Sequence, residues 1–127
     1  MRDTFASHCR SPMRPRWSVP LVAAWTVAAL LALVAPGRDI TAVPGWAHEP
    51  AHVVGFTVGA WLWLRAFPRH RLVVAVVLLA VAVGSEAFQA AFVEGRGGEV
   101  PDVVADVAGL AVAWWLTRPR SPGYERA

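Results

Sequence analysis

The hydrophobic positions of the chain gather into four long runs, separated by segments that contain charged residues, proline or glycine. The runs cover approximately residues 17–35, 46–67, 72–93 and 102–117. The first and third are nearly free of ionisable residues and are long enough to cross a hydrocarbon core of about 30 Å. The second and fourth carry polar residues near one end, so each can be read either as a span or as a buried or re-entrant segment. The pattern predicts an all-α fold, an integral membrane bundle of four transmembrane helices.

Composition supports a membrane protein and argues against a soluble enzyme. Of the 127 residues, 56% are hydrophobic and 17% are charged, which leaves few charges to cover a soluble surface. The net charge is +3 and all 12 basic residues are arginines. A basic chain of this kind is typical of a protein that meets either nucleic acid or a membrane surface.

The positions of the arginines decide between these partners. Ten of the 12 lie before the first run, between the second and third, or after the fourth: Arg2, Arg10, Arg14, Arg16, Arg65, Arg69, Arg71, Arg118, Arg120 and Arg126. The positive-inside rule places all three segments, and therefore both termini, in the cytoplasm. The basic tails lack the interleaved aromatic residues of a nucleic-acid groove. We therefore predict the lipid bilayer, and no nucleic acid, as the partner.

The N-terminal segment allows two interpretations, because arginines that precede an apolar run are also typical of a secretory signal. Here the run is longer than a signal core, and Leu33-Val34-Ala35 is a poor cleavage site. We therefore predict an uncleaved helix. The domain organisation is then a disordered basic cytoplasmic tail (1–16), a membrane domain (17–117) and a short basic cytoplasmic tail (118–127).

Polar side chains from three runs are predicted to meet at the outer side of the membrane. The third run points outward, and the second and fourth point inward, so their polar ends reach the same level. The predicted cluster comprises His52, Glu86, Gln89, Arg96, Asp102 and Asp106. Ionisable groups at such depth usually face a bundle interior or a wet cavity.

Helical spacing indicates how the runs pack. Gly55 and Gly59 form a GxxxG pattern, and Gly109 continues the face of Asp102 and Asp106. Residues three or four positions apart share one face of a helix, and small residues on such a face let helices approach closely. We therefore predict that these three glycines lie at helix contacts.

The sequence alone allows three interpretations of this cluster. In the first, Arg96 pairs with the acids and the network only fixes helix packing. In the second, the cluster binds a polar lipid or envelope headgroup, with Arg96 as the anion contact. In the third, two carboxylates and a histidine bind a divalent cation. Because nothing in the sequence fixes a ligand set, we predict no metal and no cofactor.

One short motif matches the zinc-protease pattern H-E-x-x-H, namely His48-Glu49-Pro50-Ala51-His52. That chemistry needs both histidines on one continuous helical face. Pro50 removes a backbone donor and disfavours helical geometry at Glu49. We therefore predict that the motif straddles a helix start, and we do not predict a protease.

The third and fourth runs resemble the VanZ-like family of small bacterial membrane proteins. The resemblance rests on Glu86-x-x-Gln89-x-x-Phe92, on Gly95-Arg96, and on Asp102-x-x-x-Asp106-x-x-Gly109. His52 with Phe56 is similar to the family's H-F-x-x-Y, and Val34-Ala35-Pro36 resembles its proline-terminated first helix. Asp106 stands where the family usually has asparagine. The resemblance covers about residues 20–117.

The resemblance implies a multi-pass protein of the bacterial cytoplasmic membrane and cell envelope. The family takes its name from a member linked to low-level teicoplanin resistance. We predict a non-catalytic protein whose cluster binds a lipid or cell-wall precursor headgroup. The alternative is a membrane enzyme that acts on a lipid-linked substrate, with Glu86 or His52 as general base and the aspartates holding a metal. The oligomeric state is not predicted.

Overall fold

The computed structural model describes residues 18–35, 48–95 and 99–119. They form the helices α1 (Ser18–Val34), α2 (His48–Ala66), α3 (Arg71–Phe92) and α4 (Val100–Leu116), with a short 3₁₀ turn, Pro68–His70, before α3. These ranges contain no β-strand, so the all-α prediction is confirmed for them. Each helix begins and ends within two residues of its predicted run. The predicted tail 1–16 and most of the tail 118–127 lie outside the described residues.

Proline and glycine end the helices where the chain reverses. Phe67 precedes Pro68 and has φ −126° and ψ 61°, outside the helical region, as expected for a residue before proline. Gly95 follows α3 with φ 75°, a left-handed conformation that glycine adopts without strain. Both reversals therefore follow from local residue chemistry.

Helix α2 is the centre of the bundle, and its most extensive contact is with α4. The larger core cluster contains residues of α2, α3 and α4: Phe56, Ala60, Leu64, Val74, Leu78, Ala82, Leu110 and Ala113. Three of these are fully buried alanines, one from each helix. Small side chains at these points let the backbones approach closely. On its other side, α2 packs against α1 through Val22, Leu62 and Ala66.

Arg71 joins the beginning of α3 to the end of α4. Its guanidinium donates hydrogen bonds to the Thr117 carbonyl, to the Trp114 carbonyl (3.3 Å) and to the Thr117 hydroxyl (3.2 Å). It also lies 4.7 Å from the centroid of the Trp114 ring. The last carbonyls of a helix lack intrahelical partners and attract cations, so Arg71 stabilises the end of α4. The described arginines, Arg65, Arg69, Arg71 and Arg118, all lie at this end of the bundle.

The outer surface of the bundle is strongly apolar. Large hydrophobic side chains that are more than half exposed include Leu31 on α1, Val54 on α2, Leu72 on α3 and Val104 on α4. Among the described residues, one helical segment, Pro68–Phe92, is long and apolar enough to cross a membrane. The apolar segment of α1, Val19–Val34, is shorter.

Candidate functional site

A cluster of histidines and aspartates joins the first two turns of α2 to the first two turns of α4. The His52 Nδ1 atom lies 3.0 Å from Asp106 Oδ1, and the His52 Nε2 atom lies 3.7 Å from Asp102 Oδ2. Because an ionised carboxylate only accepts hydrogen bonds, His52 donates from Nδ1 to Asp106. Three of the predicted cluster residues therefore meet across one helix pair.

His48 belongs to the same cluster, although its side chain was not among the predicted cluster residues. Its Nδ1 atom lies 3.3 Å from Asp102 Oδ1, and its ring centroid lies 5.0 Å from that of His52. Helix α2 begins at His48, so the two histidines share one helical face and the motif does not straddle the helix start. Pro50 is accommodated because the first N–H groups of a helix have no intrahelical acceptor.

Asp102 is the most enclosed member of the cluster. It is 4% exposed, and its Oδ1 atom has no hydrogen-bond partner. His48 Nδ1 lies 3.3 Å from this oxygen, a contact that is an ion pair only when His48 is protonated. Burying a carboxylate oxygen that accepts no hydrogen bond costs free energy. A bound ligand at this oxygen would offset that cost.

Glu86 and Gln89 of α3 are buried at the same end of the bundle, and each binds a backbone group at a helix end. Glu86 Oε2 accepts a hydrogen bond from the Glu99 N–H (3.2 Å), directly before α4. This is the contact that a Glu at the third helical position makes in a capping box. Gln89 donates from Nε2 to the Leu33 carbonyl in the last turn of α1 (3.3 Å). Both residues therefore stabilise the packing of α3 against its neighbours.

Arg96 lies outside the described residues, so its predicted pairing with the acids stays a prediction. The contacts of the three acids within the described residues are with His48, His52 and the Glu99 N–H. The described part of the polar network is therefore built from imidazole and backbone groups.

The three predicted packing glycines differ in their surroundings. A Cβ on Gly109 would lie 2.7 Å from the Val53 carbonyl oxygen, and a Cβ on Gly59 would overlap the Trp25 ring. A Cβ on Gly55 would meet nothing within 4 Å. Gly109 therefore lets α2 and α4 approach closely. Gly59 lets α1 and α2 approach closely in the same way. Gly55 contributes its carbonyl, which accepts a hydrogen bond from Trp25 Nε1 (3.2 Å).

A large cavity lies between α1, α2 and α3, with a volume of about 700 Å³. Most of its polar lining lies at the end where α2 begins and α3 ends: His48, His52, Glu86, Gln89 and Asp106, with Ser85 beside them. Thr26 of α1 and, at the opposite end, His70 also line it. The rest of the wall is mainly aliphatic and aromatic and reaches Phe67 at the end of α2. The volume falls within the range of small-molecule sites, about 300–1,000 Å³.

The cavity therefore combines a long apolar chamber with a polar end rich in hydrogen-bond acceptors. The sequence signalled the polar end, because ionisable residues stood inside apolar runs. It carried no signal for the chamber, which arises because α1 touches α3 only sparsely.

Comparisons with known proteins identified no relative of this chain. The chain matches no protein-family model, no curated protein and no solved structure. The resemblance to the VanZ-like family thus stays a prediction from the sequence motifs.

Proposed function

We propose that this chain is a multi-pass protein of the cytoplasmic membrane, with all four helices spanning the bilayer and both termini in the cytoplasm. The distribution of side chains supports this, since Leu31, Val54 and Val104 face outward while Glu86, Asp102 and Asp106 are buried. In a bilayer, polar groups turn toward the bundle interior and aliphatic groups toward lipid. The helices have 17 to 22 residues, which overlaps the range of about 17–25 for spanning helices.

Site-directed labelling tests this topology. Single cysteines introduced at Glu94 and at Arg118, in a Cys9→Ser background, are treated in intact cells with a membrane-impermeant thiol reagent. The proposal predicts that position 94 reacts and position 118 does not. Reaction at 118 but not at 94 would invert the orientation and contradict the proposal.

The proposed function is binding of a lipid, with its acyl chain in the cavity and its headgroup at the polar end. The observation that carries this proposal is the cavity itself, a mainly apolar chamber with all its carboxylates, Glu86 and Asp106, at one end. Such a site fits a molecule with an apolar chain and a polar headgroup, such as a lipid or a lipid-linked cell-wall precursor. The carboxylates of Glu86 and Asp106 favour a headgroup that carries hydrogen-bond donors, such as an ammonium or sugar hydroxyl group.

The VanZ-like resemblance supports the same class, a non-catalytic protein of the bacterial cell envelope. The connection with teicoplanin resistance that it implies stays a prediction.

Native mass spectrometry of the full chain, extracted from its membrane, tests lipid binding. We expect one lipid per chain to survive removal of the detergent. A Glu86→Gln variant keeps an oxygen that can accept from the Glu99 N–H but loses the negative charge, so it should fold and retain less lipid. Glu94→Gln removes an exposed carboxylate just beyond α3 and should retain as much lipid as the wild type. Wild-type protein that holds no lipid, or equal retention by all three proteins, would contradict the proposal.

The second candidate function is catalysis on a lipid-linked substrate. The hydrogen bond from His52 Nδ1 to Asp106 Oδ1 favours it, because a carboxylate orients an imidazole for general-base work. Purified protein incubated with lipid-linked cell-wall precursors should then release product, and a His52→Gln variant should not. Absence of turnover by the wild type would contradict this candidate and leave binding as the function.

A further inference from the structure

We propose that His48, His52 and Asp102 bind a divalent transition-metal ion of the Zn²⁺ class. One ligand atom from each of these residues lies within 4.8 Å of the others. The site adjoins the proposed headgroup end of the cavity, because His48 and His52 line that end, whereas Asp102 does not line the cavity.

The hydrogen bonding of His52 prepares its second nitrogen for a metal. Since Nδ1 donates to Asp106, the neutral ring carries its lone pair on Nε2, which faces Asp102. A metal-binding histidine typically donates its other N–H to a carboxylate in this way. Asp106 is then the residue that orients the ligand, and it does not itself bind the ion.

The unpartnered oxygen of Asp102 is the independent observation that points to a ligand. This atom is buried and makes no hydrogen bond, while His48 Nδ1 lies 3.3 Å away. On the other side, His52 Nε2 lies 3.7 Å from Asp102 Oδ2. Zinc–ligand bonds of about 2.0–2.1 Å place tetrahedral ligand atoms about 3.3 Å apart. Each separation is close to that of a tetrahedral ligand pair, and the two imidazoles approach the two oxygens of the same carboxylate.

Charge balance favours a cation at this end of the bundle. Asp102 and Asp106 are both buried, and both approach His52. Buried carboxylates are costly unless they are paired or coordinate a metal. A divalent ion would neutralise both charges.

The ligand chemistry selects the class of ion. Two imidazoles and one carboxylate suit Zn²⁺, Cu²⁺, Ni²⁺ or Fe²⁺, whereas Mg²⁺ and Ca²⁺ prefer oxygen ligands throughout. The His48 side chain is 36% exposed, so an ion held here keeps a route to solvent and room for a further ligand.

The experiment is titration of the full chain in detergent micelles with ZnCl₂, after chelator treatment, in competition with a fluorescent zinc indicator. We expect one ion per chain and no binding of Mg²⁺ at the same concentration. Asp102→Asn, His52→Gln and His48→Gln should each weaken binding by more than about 100-fold, the upper limit for loss of a merely supporting residue. His70→Gln and Glu49→Gln, which change an exposed histidine and an exposed acid, are the matched controls and should bind as the wild type does.

Two results would overturn the proposal. The first is wild-type protein that binds Zn²⁺ no more tightly than Asp102→Asn. The second is a loss of Zn²⁺ affinity in the His70→Gln control as large as that in the variants of His48, His52 and Asp102. His48→Gln alters a side chain at the rim of the cluster, so it keeps the test valid if Asp102→Asn fails to fold. As a second readout, Co²⁺ should give the intense visible absorption of a tetrahedral site in the wild type and lose it in His48→Gln.

Discussion

His52 and Asp106 lie 54 positions apart in the sequence, yet His52 Nδ1 is 3.0 Å from Asp106 Oδ1. This hydrogen bond joins the second turn of α2 to the second turn of α4. It fixes the orientation of the imidazole at the polar end of the cavity. The proposed metal binding depends on that orientation.

The first prediction concerns this bond. Asp106→Asn keeps an oxygen that accepts from His52 and should lower the free energy of unfolding by less than about 1 kcal/mol. Asp106→Leu leaves the His52 N–H without an acceptor and should lower it by about 1–3 kcal/mol. Titration with SDS in mixed micelles measures both variants. Equal stability of the two would show that the hydrogen bond does not contribute.

The second prediction uses two glycines of contrasting environment. Gly109→Ala places a methyl group 2.7 Å from the Val53 backbone oxygen, which no side-chain rotation can relieve. We expect a loss of about 1–3 kcal/mol in the free energy of unfolding. Gly55→Ala meets nothing within 4 Å, and it should gain up to about 1 kcal/mol because alanine is the better helix former. Gly109→Ala that is as stable as Gly55→Ala would contradict the α2–α4 packing.

The third prediction concerns the opposite end of the bundle. Arg71→Ala removes the hydrogen bonds to the carbonyls of Trp114 and Thr117. Hydrogen bonds from a charged group contribute about 1.5–3 kcal/mol, so this variant should unfold at lower denaturant. Arg69→Ala, in the preceding turn and exposed, is the control and should change stability by less than about 0.5 kcal/mol. If both substitutions lowered stability equally, the loss of stability would come from the change in net charge and not from the hydrogen bonds of Arg71.

The helices could be predicted from the sequence because charged residues, proline and glycine mark the ends of each apolar run. Pro68 and Gly95 end helices by local backbone chemistry, and local chemistry can be read from neighbouring residues. Glu86, Asp102 and Asp106 could be placed at one level because each stands inside an apolar run. Their buried positions agree with that reasoning.

The partners of these residues could not be predicted, for two physical reasons. Glu86 and Gln89 bind backbone groups of Glu99 and Leu33, and every residue offers such groups, so the sequence marks none of them. His48 was left out of the predicted cluster, and Pro50 was taken to begin the helix after it. In the first turn of a helix, the N–H that proline lacks has no partner in any case.

The cavity is the basis of the proposed function, and a cavity-filling substitution tests it most directly. Ala29 of α1 lines the chamber, and Ala80 of α3 is exposed outside it. Ala29→Phe and Ala80→Phe make the same chemical change at these two places. Native mass spectrometry then counts the lipid that each purified variant retains. Our account predicts that Ala29→Phe loses the single lipid that the wild type and Ala80→Phe keep, whereas full retention by Ala29→Phe would show that the chamber does not hold it.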